Sequence, residues 1–163
     1  MATYNAAMNR DLFAAAALLD GPARDQDRGA FWGSIRGTLS HLLWGDHMWM
    51  MRFDGWEPPG VDLVNSGAWF TDFDGLTHER RTTDERLIAW AERVTAGWLA
   101  KDLSWSSRAT GRDYTYPHGF LVMHMFNHQT HHRGQVHAML TSAGAVPGDT
   151  DLPFVVEPVV DIG

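Results

Sequence analysis

Five of the nine histidines of the chain fall in one run, His124-Met-Phe-Asn-His128-Gln-Thr-His131-His132-Arg-Gly-Gln-Val-His137. His128 and His132 are four residues apart, so on a helix they sit one turn apart on the same face. Two neutral imidazoles at that spacing can grip a divalent metal ion. A metal site open for chemistry takes three protein ligands, so a third is expected from elsewhere in the chain. Gln129 stands where the pattern H-E-x-x-H has its glutamate, so the zinc-protease pattern does not apply.

His41 and His47 compete for the third place. Six residues apart, they diverge by about 120° on a straight helix and cannot both serve one ion. Both lie at the margins of an apolar stripe, so periodicity alone does not choose between them. Gly37 and Gly45 lie one turn to either side of His41 and leave room for an ion and a substrate, whereas Leu43 and Met51 flank His47. Spacing leans to His41 without deciding the matter.

The elements that must position these residues follow from the apolar periodicity. A first helix is expected from Thr3 to Leu19, Ala-rich, with Tyr4, Met8, Leu12, Ala15 and Leu19 at helical spacing and Asp20-Gly21-Pro22 as its stop. After an Arg- and Asp-rich linker, a second helix is expected from Phe31 to Phe53. The turn formers from Asp54 to about Gly75 predict a long irregular crossover, whose Trp56, Trp69, Phe70 and Phe73 should fold back onto the helices. A third helix is expected from Thr83, as cap, to Leu99, with Leu87, Trp90, Val94 and Trp98 as its buried stripe. Leu103–Ser107 and Asp113–Tyr116 around Gly111 read as a short β-hairpin. The fourth helix starts at Pro117, runs to Ser142 and ends at Gly144. Val146 to Gly163 reads as a tail draped over the rest. The expected fold is all-α: a four-helix bundle with a long crossover loop, a small hairpin before the last helix and an irregular C-terminal tail.

On the fourth helix, at about 100° per residue, Leu121, Met125, His132, Val136 and Met139 all lie within about 80° of His128. The His128/His132 edge is therefore expected to face the interior. His124 and Gln135 border it, while His131 and His137 point further away and read as bystanders. Asp46 lies about 140° round the second helix from His41 and reads as structural or capping. Arg133-Gly134 reads as helix packing, and Asn5 and Asn9 as hydrogen-bonding residues near one end of the bundle.

With 163 residues, 44% of them hydrophobic and 20% charged, one folded domain over residues 1–163 is expected. A net charge of −7, with no Lys/Arg run, argues against a nucleic-acid partner. The apolar run Leu12–Leu19 is far short of the ~20 residues of a membrane span. The absence of Cys removes disulfides, a thiolate nucleophile and sulfur-ligated zinc, and fits a cytoplasmic location.

The chain resembles the DinB family, within the DinB/YfiT-like superfamily of metalloenzymes. The resemblance rests on Tyr4-Asn-Ala-Ala-Met-Asn9, on Ser34-Ile-Arg-Gly-Thr-Leu-Ser-His-Leu-Leu-Trp-Gly-Asp46 with Trp49 and Arg52, on Asn127-His-Gln-Thr-His-His-Arg-Gly-Gln135, and on Asp149-Thr-Asp-Leu-Pro153. It implies a four-helix bundle whose metal, often nickel or zinc, is held by three histidines, by position His41, His128 and His132. The family often has Arg or another residue where this chain has His47, which then reads as a surface or interface residue. The resemblance further implies a metal-dependent enzyme acting on a small molecule, with thiol-dependent transferase chemistry on an electrophile favoured and a low-molecular-weight thiol as co-substrate. A metal-dependent hydrolase, or a non-catalytic metal-stapled stress or small-ligand-binding protein, are the alternatives. A homodimer is a further expectation, since relatives often pair through their helices.

Overall fold

The computed structural model describes residues 1–107 and 110–156, which are mostly helical with one small antiparallel hairpin. In chain order these are α1 (Ala2–Ala17), α2 (Gly21–Asp25), α3 (Ile35–Asp54), a 3-10 turn at Ser66–Ala68, α4 (Phe73–Ala91), α5 (Ala96–Leu99), β1 (Asp102–Ser107), β2 (Arg112–Pro117), α6 (His118–Ser142) and α7 (Leu152–Val155). The first, second and fourth expected helices are present. The second begins later than expected, because the Ser34 hydroxyl accepts from Gly37 N and caps it there. Asp20 does more than stop α1: its carboxylate accepts from Ala23 N and starts α2. The hairpin pairs Asp102 with Pro117 through Ser107 with Arg112, and Gly111 takes the positive φ its turn requires.

The third helix departs from expectation. It starts at Phe73, capped by the Asp72 carboxylate, which accepts from Asp74 N and Gly75 N, and it ends at Ala91. Val94 therefore lies beyond the helix, and Trp98 sits in the separate α5. The missed first turns carry the buried Arg80, and the buried Thr83 and Asp84 follow it on the inward face. Polar residues at core-facing positions erase the apolar period from which a helix is read. Thr83, expected as a cap, is buried inside α4. The tail, expected to be irregular, contains α7; residues 157–163 lie outside the described residues.

Two apolar clusters hold the helices together. One joins Leu12, Phe13 and Ala16 to Ile35, Leu39, Leu42, Leu76, Val136 and Leu140; the other joins Ala2 to Met50, Phe53, Trp56, Leu87, Trp90, Leu121 and Met125. Each long helix contributes to both clusters and carries buried polar residues in between: Asn5 and Asn9 on α1, Asp46 and His47 on α3, Arg80 and Asp84 on α4, Gln129 and Arg133 on α6. The order of these segments makes α3 and α4 run one way and α1 and α6 the other. The crossover does fold back as expected, with Trp56 buried and Trp69, Phe70 and Phe73 packed on the first cluster.

Candidate metal centre

His41 comes from α3 and His128 and His132 from α6, which packs directly against α3. Their ring nitrogens converge, all within 4.8 Å of one another, and His41 Nε2 lies 3.1 Å from His128 Nε2. Ligands at about 2.0–2.1 Å from a tetrahedral ion stand about 3.3 Å apart, so the pair has the spacing of two ligands. Of the two residues that competed for the third place, His41 is the one in the cluster.

The ring orientations are set from behind. Ser66, fully buried, donates its hydroxyl to Leu63 O, so its oxygen is left to accept from His41 Nδ1–H at 2.8 Å. That tautomer leaves the His41 Nε2 lone pair facing the other two rings. His132 Nδ1 likewise donates to Gln135 Oε1 at 2.7 Å, leaving its Nε2 free. The crossover brings Ser66 into place: Ser40 Oγ donates to Ser66 O at 2.8 Å, Trp44 Nε1 to Val61 O at 2.9 Å, and Arg36 Nη1 to Phe70 O at 2.6 Å. Trp32 stacks on His41 with ring centroids 4.1 Å apart.

Burial, and secondarily the neighbouring imidazoles, hold His41 and His128 down to about 3; burial also lowers His132. All three are thus neutral at physiological pH, the state in which imidazole donates a lone pair. Neutral donors, fixed tautomers and mutual spacing fit a divalent ion. The cluster contains no fourth histidine or carboxylate among the described residues, and it lies on the wall of a cavity of about 640 Å³.

Several residues take parts the spacing did not assign. Gly45 does not make room for an ion: a Cβ there would come to 3.1 Å from His128 Cε1, so its bare backbone accommodates the His128 ring itself. Gly37 lies against Trp32 O and Gly67 O, where the crossover approaches α3. His47, expected at a surface or interface, is buried; its Nε2 lies 3.0 Å from Thr83 Oγ1 and 3.3 Å from Glu79. The reason is the α4 turns missed in the sequence, which cover that side of α3. His131, expected to be a bystander, lines the cavity, its Nε2 accepting from Gln135 Nε2 at 3.3 Å.

Asp46 is structural, as expected: it is buried and receives Arg80 Nη1 at 2.6 Å and Gln129 Nε2. Gln129, unassigned in the sequence, also donates to Leu42 O, tying the residue after His128 to the residue after His41. Arg133 is buried, donates to Asn5 Oδ1 and lies over the Tyr4 ring. Asn9 donates to Asp84. Both asparagines hydrogen-bond, as their type suggests, and they do so buried between the helices.

A family model described as DinB family matches residues 1–159 of the chain. No curated protein and no solved structure matches it.

Proposed function

The chain belongs to the DinB family, and on that premise we propose that it is a metal-dependent enzyme built on a four-helix bundle of α1, α3, α4 and α6, with His41, His128 and His132 as ligands of nickel or zinc. The observation that carries this reading is the convergence of three neutral imidazoles at the wall of an open cavity, two of them with Nδ1–H engaged by Ser66 and Gln135. A divalent ion held by these three residues would supply Lewis acidity, able to polarise a carbonyl or acidify a water or thiol. The residues of the chain hold the tautomers, keep the imidazoles unprotonated and leave one side of the cluster open to the cavity.

We favour transfer of a low-molecular-weight thiol to a small electrophile. The chain has no Cys of its own to supply a sulfur nucleophile, and an external thiol has access through the cavity. The test is to load the protein with Ni²⁺ or Zn²⁺ and follow thiol consumption with electrophiles and glutathione, mycothiol or bacillithiol. Turnover with one thiol, lost in His132→Ala, is the expected result. Silence with all three redirects the reading to hydrolysis or to a non-catalytic stapling role.

A further inference from the structure

The walls of the cavity say what kind of molecule reaches the cluster. Beside the imidazoles the cavity is lined by Phe31 and Trp32, from the segment before α3, and by Leu63 and Val64, from the crossover. Phe31 is 80% exposed and Val64 83% exposed, so two large apolar side chains face solvent on the rim of the cavity that holds the cluster. The remaining lining is His131 and Gln135, which hydrogen-bond each other. Among the described residues, no Asp, Glu, Lys or Arg lines the cavity. A carboxylate or phosphate on the body of a substrate would find no cation here, and the net charge of −7 adds no attraction for it.

We propose that the site takes a molecule with a neutral, apolar body and a metal-binding head: the head meets the histidine cluster and the body lies along Phe31 and the Leu63–Val64 segment. This rests on the metal reading above and narrows its substrate class. A polar thiol co-substrate, on this view, enters sulfur first and keeps its charged portion in solvent.

Three hydroxamates with the same chelating head and different tails test it: acetohydroxamate, octanohydroxamate and suberic monohydroxamate, whose chain ends in a carboxylate. Binding to the Zn²⁺-loaded protein is measured by calorimetry, with zinc content determined alongside. Octanohydroxamate should bind at least about tenfold tighter than acetohydroxamate, the gain of burying roughly two methylenes. The terminal carboxylate should cancel that gain. Phe31→Ser with Val64→Ser should bring octanohydroxamate back to the affinity of acetohydroxamate, leaving acetohydroxamate binding and zinc content unchanged. Both side chains are exposed, so the variant keeps its fold. Equal affinity for the short and long tails, or tighter binding of the carboxylate tail, overturns the inference while leaving the metal reading in place. Failure to take up zinc overturns both; zinc uptake with no binding of any of the three hydroxamates overturns the inference alone.

Discussion

At the residue scale, the site depends on lone pairs that must be both unprotonated and aimed. His128→Ala or His132→Ala should reduce bound metal from about one ion per chain to a small fraction, as read by elemental analysis of protein purified without chelator. Ser66→Ala leaves all three imidazoles in place but frees the His41 ring. It should weaken metal affinity by about 10–100-fold with little change in the far-ultraviolet spectrum; unchanged affinity would mean that the hydroxyl is not orienting the ring. The same imidazoles make the metal-free protein sensitive to acid. His41 and His128 sit near 3 when folded and near 6.5 when unfolded, so between those values the unfolded chain binds more protons. Stability of metal-free protein should be full above about 6.5 and fall as the pH drops toward 3. Urea unfolding across that range tests this, and His128→Asn should flatten the slope.

At the scale of elements, the spacing of α3 from α6 is set by what is missing as much as by what is present. Gly45 sits in α3 where any larger residue would press on the His128 ring. Gly45→Ala separates two effects: alanine favours the helix by about 1 kcal/mol, while its methyl group crowds the His128 ring. We expect thermal stability of the metal-free protein to hold or rise and metal affinity to fall. Parallel loss of both would place Gly45 in general packing instead. Helices α1 and α6 and the hairpin are close to what apolar periodicity and turn residues predict, because their inward faces or turn chemistry carry a local signal. The first turns of α4, ahead of its expected cap Thr83, escape a periodic reading because the buried Arg80, followed by Thr83 and Asp84, stands where such a reading requires apolar side chains.

At the scale of the whole molecule, those residues form a buried polar layer between two apolar clusters. Arg80 pairs with Asp46 at 2.6 Å and with Asp84 at 2.8 Å, and Asn9 and Gln129 extend the pairing to α1 and α6. Burial drives the Asp84 carboxyl up, with the Arg80 charge opposing it. Removing the cation strands two buried carboxylates, so Arg80→Met should cost about 3–5 kcal/mol in denaturant unfolding. A cost within the range of an ordinary surface substitution would show that the layer is open to water.

The sequence by itself determined the helical class, the family and the pair His128/His132, because helix period and motif spacing are local properties of the chain. It gave only a lean toward His41, through glycines whose use proved different, and the family resemblance was needed to complete the triad. Only the tertiary structure decided that Ser66 and Gln135 hydrogen-bond the His41 and His132 rings, that His47 is enclosed by α4, and that His131 lines the cavity with Phe31 and Val64. Those facts depend on where a crossover loop and a neighbouring helix come to rest, and such long-range packing leaves no periodic trace in the residues it brings together.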